Sequence, residues 1–139
     1  MERLRVFVYG TLKPGEANYA RYCAGRVVEA VEAIAFGNLY ALPLGYPAMT
    51  AGPRPVQGYL FTFAEEGILR DLDELEDYDP NRPPEECEYL REWTEVFDRE
   101  GRSLGFAWVY RMSEAQVKLW DGVLLPDGTW QSSSLKQDH

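Results

Sequence analysis

Residues 4–12 read Leu4-Arg5-Val6-Phe7-Val8-Tyr9-Gly10-Thr11-Leu12, and a second turn signal, Lys13-Pro14-Gly15, follows without a gap. Leu4 to Tyr9 alternate and are rich in residues that favour extended backbone, which predicts a first strand. That strand runs straight into Gly10. A glycine at a strand end lets the backbone turn or lets another group approach where a Cβ would block it. The stretch therefore reads as a plain turn or as the rim of a site.

Working outward, the chain is mostly short strands and turns. Gln57 to Phe63 carries the strongest strand signal, Asn38 to Leu42 a second, and Pro43-Leu44-Gly45-Tyr46-Pro47 reads as a loop. Val27 to Phe36 is ambiguous: Val28, Val31 and Ala35 fit one helix face, while the β-branched content favours a strand, and strand is the reading adopted here. Glu88 to Phe97 and Leu104 to Met112, joined by Asp98-Arg99-Glu100-Gly101, predict an antiparallel hairpin. Asn18 to Ala24 reads as a short helix with Asn18 as N-cap and Gly25 as its stop. Ser113-Glu114-Ala115-Gln116 is a capping box opening a helical turn. There is no internal repeat and no linker. The strand count predicts an α+β fold: a mixed, strongly curved or barrel-like sheet of about five to seven strands with short covering helices. The expected organisation is one domain over residues 1–131 and a flexible tail over 132–139, Ser132 to His139.

Composition removes several function classes. With 14 Lys+Arg against 23 Asp+Glu the 139-residue chain carries a formal charge of −9, without the basic footprint that nucleic acid or an anionic membrane requires. The start, MERLRVFVYG, lacks the apolar core of a signal peptide and no apolar run approaches the ~20 residues of a membrane span, so a cytoplasmic location is expected. Cys23 and Cys87 have no metal-ligand spacing and read as ordinary thiols. The single histidine, His139, is the last residue, which argues against Ser-His-Asp and Cys-His machinery and against histidine-rich metal sites. Asp71 and Asp73 have the spacing of the first two EF-hand ligands, but Leu75, Glu76 and Arg82 stand where a third oxygen ligand, the glycine and the bidentate Glu belong. Trp120 and Trp130 flank a Pro126-Asp127-Gly128 turn and either cover the core or form an interface.

Residues 65–78 form the segment where chemistry shows. On a wheel at ~100° per residue, Ile68, Leu69, Leu72 and Leu75 share one arc. Arg70, Asp71, Asp73 and Glu74 fall outside it as solvated residues, but Glu76 falls inside, between Leu72 and Leu69. An unpaired carboxylate on an apolar face has its pKa raised, which is what a general acid/base near neutral pH needs. The competing reading is a structural ion pair of Glu76 with Arg91 or Arg82. An acid/base carboxylate, a glycine-bearing loop and tyrosines suit a reaction whose substrate brings its own nucleophile.

Tyr9-Gly10-Thr11-Leu12-Lys13-Pro14-Gly15, then Gly45-Tyr46-Pro47, Gly58, Leu72-Asp73-Glu74-Leu75-Glu76, Tyr89-Leu90-Arg91 and Val109-Tyr110 follow one another in this order. In this the chain resembles the gamma-glutamylcyclotransferase-like family over roughly residues 4 to 112, most closely its AIG2-like, gamma-glutamylamine cyclotransferase branch. One departure is Asp77, where the family often has glycine after its glutamate. The resemblance implies a cofactor- and metal-independent reaction in which the α-amine of a γ-glutamyl compound attacks its own γ-carbonyl, releasing 5-oxoproline and an amine or amino acid. It implies Glu76 as the catalytic acid/base and Tyr9, Gly10, Thr11, Leu12, Tyr89, Arg91 and Tyr110 as substrate-binding residues. The Gly10, Thr11 and Leu12 amides would form an anion-binding nest that Gly10 opens to close approach. Tyr46-Pro47 reads as loop scaffolding rather than substrate contact. The expected partner is a small γ-glutamyl substrate, with neither nucleic acid nor membrane, on a monomer or homodimer. A non-catalytic binding module on the same fold is the second reading, and the leaving group stays open among amino acid, cysteinylglycine, polyamine and isopeptide-linked lysine.

Overall fold

The computed structural model describes residues 4–65 and 67–131. The tail expected over 132–139 lies outside the described residues. In chain order the elements are β1 (Leu4–Val8), α1 (Tyr19–Tyr22), β2 (Val27–Ala41), β3 (Pro47–Phe63), α2 (Ile68–Leu75), a 3₁₀ turn (Pro84–Glu86), β4 (Leu90–Phe97), β5 (Ser103–Arg111), α3 (Glu114–Leu119) and β6 (Val123–Leu124).

The strands lie in the order β3-β1-β5-β4-β2-β6, and a further β2–β3 pairing closes the first five into a ring. All pairings are antiparallel except β1 with β5, which run parallel with Val6 opposite Trp108. The mixed, barrel-like α+β architecture is thus the one the strand pattern predicts.

Both faces of the ring are covered, and β1 shows it in three residues. Val6 and Val8 pack with Phe61, Phe63, Ile68 and Leu72 on the face carrying α1 and α2, whereas Phe7 and Tyr9 pack with Ala35, Met49, Val56, Leu60 and Val109 on the other. Val6, Phe7 and Val8 are therefore all buried, as expected for a strand sandwiched on both sides. Ile68 and Leu72, fully buried, seat α2 on this sheet, each contributing about 1.5–3 kcal/mol of burial.

Three element boundaries differ from expectation. Val27 to Phe36 and Asn38 to Leu42 join into the one long β2. Its partner β3 begins at Pro47, ten residues before the strand expected at Gln57. The register explains the miss: Gly37 faces Arg54 while Asn38 faces Thr50, so Ala51, Gly52 and Pro53 bulge out of the ladder. Pro and Gly, which read as a break in the strand, here mark an irregularity within it. The third difference is α1, where Asn18 occupies the N-cap position but its side chain donates to Thr11 Oγ1 (2.9 Å) instead of capping the helix. Ser113 caps α3 as expected, Gln116 N donating to Ser113 Oγ at 3.1 Å, while the return bond from the Gln116 side chain that would complete the capping box is not among the described hydrogen bonds. Trp130 is buried in the inner core, and its carbonyl accepts a hydrogen bond from the Lys13 ammonium.

Candidate active site

Six separate stretches of chain meet at one end of the ring around a cavity of about 330 Å³. The end of β1 supplies Phe7, Val8 and Tyr9 and then the turn Gly10-Thr11-Leu12; the β2–β3 loop supplies Tyr46 and Pro47; the C-terminus of α2 supplies Leu75 and Glu76. Glu88 and Tyr89, just before β4, and Tyr110 of β5 complete it with Asn18. The volume lies at the lower end of the range for small-molecule sites.

Glu76 is the C-cap of α2, its amide donating to Leu72 O at 2.9 Å, and its carboxyl faces the cavity with no hydrogen-bond or ion-pair partner among the described residues. Burial, reinforced by the negative charge of Glu88, pushes its pKa up to about 8. The ion pairs considered for it do not form. Arg91 donates instead to Asp73 Oδ2 at 2.8 Å, and Arg82 to Asp77 Oδ1 at 3.0 Å.

The tyrosines form a wall whose hydroxyls are committed to protein acceptors. Tyr9 Oη donates to Tyr110 O (2.5 Å) and accepts from Met49 N (3.3 Å); Tyr89 Oη donates to Pro47 O (2.6 Å). Tyr110 Oη donates to Asp73 Oδ1 at 2.7 Å. Burial above all raises the pKa of each, so all three stay neutral across ordinary pH.

Three expectations are corrected here. Arg91 does not line the cavity; its guanidinium lies against the Trp108 and Tyr78 rings, 4.9 and 5.3 Å from their centroids, and holds Asp73. Asp73, assigned to the solvated face of the helix, is only 16% exposed at its side chain, because β4 and β5 bring Arg91 and Tyr110 over it. Burial raises its pKa despite both hydrogen bonds. Gly10 does permit a close approach, but of Pro47: a Cβ at position 10 would lie 2.6 Å from Pro47 Cγ. The Gly10-Thr11-Leu12 turn is held by bonds from Lys13 N to Gly10 O (3.0 Å) and Asn18 N to Thr11 O (2.8 Å). No carbonyl receives the Gly10, Thr11 or Leu12 amides in the described turn and loop hydrogen bonds.

Sequence reasoning missed Glu88 and undervalued Tyr46. Tyr46 Oη donates to Glu88 Oε2 at 2.6 Å, joining the β2–β3 loop to the segment before β4 across the cavity. The only signal for Glu88 was its place next to Tyr89 at the mouth of a strand. Among the described residues no group of three or more His, Cys, Asp or Glu is arranged to hold a metal ion, and no helix is long and apolar enough to cross a membrane.

A model of the family described as gamma-glutamyl cyclotransferase, AIG2-like, matches residues 6–132. The chain belongs to this family. It is 32% identical over 111 residues to the gamma-L-glutamyl-butirosin B gamma-glutamyl cyclotransferase of Niallia circulans, covering 78% of this chain and 68% of the relative. The mouse AIG2-like protein has the same fold, with a TM-score of 0.68 at 24% identity over 94% of this chain and 90% of that one. YkqA of Bacillus subtilis shares it at a TM-score of 0.66 and 19% identity; this chain, matched over 98% of its own length, spans only 42% of YkqA.

Asp77, where the resemblance led one to expect glycine, adopts φ 54°, in the left-handed region that glycine occupies freely and that Asp tolerates better than most residues. Its carboxylate is turned away to Arg82, and Glu88, not Asp77, is the charge that acts on Glu76.

Proposed function

We propose that the protein is a gamma-glutamyl cyclotransferase that releases 5-oxoproline from a small γ-glutamyl compound, with Glu76 as its general acid/base. The observation that carries this reading is the unpartnered Glu76 carboxyl on the wall of the cavity, held near neutrality in its pKa. A group poised close to the working pH can both take and return a proton. The family match and the Niallia circulans relative, named for this reaction, support the same reading.

The substrate enters with its α-amine as ammonium, whose positive charge beside Glu76 favours the carboxylate and discharges the carboxyl proton to solvent. Glu76 then accepts a proton from the ammonium, and the freed amine attacks the γ-carbonyl carbon to close a five-membered ring. Charge collects on the carbonyl oxygen, where the Thr11 and Leu12 amides are the donors at hand. Glu76 returns the proton to the leaving nitrogen, the oxyanion reforms the carbonyl as the C–N bond breaks, the ring nitrogen gives its second proton back to Glu76 and so to solvent or to the departing amine, and 5-oxoproline and the amine depart. The tyrosine wall confines the γ-glutamyl arm in a folded conformation, an intramolecular arrangement worth up to about 7–11 kcal/mol in favourable cases.

The test is a screen of γ-glutamyl compounds for 5-oxoproline release, repeated with Glu76→Gln and Glu74→Gln. Glu76→Gln should stay folded and lose about 10²–10⁴-fold in kcat. Glu74, exposed on α2, should tolerate the change. A dead Glu74→Gln beside an active Glu76→Gln would reject the assignment.

A further inference from the structure

The turn that follows β1 borders two cavities. Gly10, Thr11 and Leu12 line the one that holds Glu76, and Lys13, the next residue, lines a second of about 200 Å³ together with residues 32–34 of β2, 57–59 of β3, Arg99, Thr129 and Gln131. The two share no lining residue, and their charges differ in sign. The charged residues of the first are Glu76 and Glu88; those of the second are Lys13, Arg99 and Glu32. Arg99 and Glu32 pair with each other at 3.0 Å on the exposed rim, which leaves Lys13 as the unbalanced charge. Lys13 is only 7% exposed and forms no ion pair among the described residues. Its ammonium donates to a neutral group, the Trp130 carbonyl, so two of its three N–H donors have no acceptor among the described residues. A buried cation without a counter-ion is costly, and burial lowers the Lys13 pKa against the weaker opposing effect of the Glu16 charge.

We propose that this second cavity binds a small oxyanion, a carboxylate or inorganic phosphate, with the Lys13 ammonium as its buried contact and Arg99 at its rim. Anion binding here does not depend on the chemistry at Glu76. The oxyanion supplies the counter-ion that Lys13 lacks, through the short charge-assisted hydrogen bonds that an ammonium makes with anionic oxygen. Gln57, exposed on the wall of the same cavity, adds amide donors. A neutral ligand would leave the ammonium without a counter-ion, and a cation would be repelled by it. At about 200 Å³ the space falls below that of drug-sized sites, which suits phosphate or a carboxylate of a few carbons and excludes a nucleotide. Lys13 N also donates to Gly10 O at 3.0 Å, so an occupant bears on the same turn that lines the cavity of Glu76.

The experiment is an NMR titration of the full chain with sodium phosphate and, separately, with sodium succinate, at constant ionic strength. In the native protein the Lys13 side-chain resonances and the Gly58 and Thr129 amides should move together and saturate with one affinity. Saturation by phosphate alone, by succinate alone or by both supports the site and tells which oxyanion it takes. Saturation by neither, a Lys13 resonance that ignores the anion, or saturating shifts confined to the cavity of Glu76 overturns it. Lys13→Met should weaken the affinity by about 10- to 100-fold, the worth of one charge-assisted hydrogen bond, and Glu76→Gln should leave it unchanged. A folded Lys13→Met that binds as the native protein does, or a Glu76→Gln that does not bind, rejects the assignment. If Lys13→Met fails to fold, the Lys13 resonances of the native protein still decide.

Discussion

Glu76 owes its pKa of about 8 to its surroundings, and the consequence can be read in two ways. In kcat/KM, an acid limb should appear near pH 8, because the empty cavity holds the carboxyl protonated below that value. Stability should move in the opposite sense. The folded protein keeps a proton that the unfolded chain releases near 4.5, so this contribution is fully present below about pH 4.5 and is lost as pH rises towards 8. Relative to Glu76→Gln, the native protein should therefore lose Tm as the pH is raised through that window, and a constant difference in Tm across it would show that the carboxyl titrates normally. Asp77 next door is a conformational residue. Asp77→Gly should fold normally, while Asp77→Val, forced to φ 54° and deprived of Arg82, should lose about 1–3 kcal/mol in denaturant melts.

Among the elements, the turn after β1 and the start of β3 are interlocked. Pro47 packs against Gly10, and its carbonyl holds the Tyr89 hydroxyl. Gly10→Ala must displace a stiff ring that is tied to the cavity wall, so it should cost about 1–3 kcal/mol and weaken substrate binding together. Unchanged KM with lowered stability would separate the turn from the site. This coupling was only half legible in the sequence. Gly10 announces that something comes close, but its partner lies 37 positions away in a stretch where Pro47, Gly52, Pro53 and Pro55 mimic a loop. Likewise the wheel placed Glu76 correctly on the inward arc because that arc is a property of α2 alone. It misplaced Asp73 because the residues that bury Asp73, Arg91 and Tyr110, arrive on other strands. Glu88 was invisible for the same reason: its significance comes from Tyr46 and from the cavity, neither of which its own neighbours in sequence reveal.

For the molecule as a whole, the long-range ties matter most. The buried Lys13 ammonium donates to the Trp130 carbonyl and so holds the segment after β6 to the turn that follows β1. Its pKa is lowered by burial, yet its partner would be left unsatisfied without it. Lys13→Met keeps the aliphatic stem and removes the donor; it should cost about 1–3 kcal/mol and speed proteolysis near residues 125–131. Equal protease resistance in the two proteins would show that the tie is dispensable.

The parallel contact between β1 and β5 also sets an order of events during synthesis. Val6 leaves the ribosome early, but Trp108, its neighbour across the ring, follows only about a hundred residues later, with β2, β3 and β4 in between. Until β5 is made, one backbone edge of the apolar β1 is open, an invitation to pair with another nascent chain. A chain stalled after β4 would hold Glu76 and Glu88 yet lack Tyr110, and would be a sticky open sheet instead of an enzyme in waiting. A complete cavity and safety from aggregation thus arrive together, in the last strand of the ring to be translated.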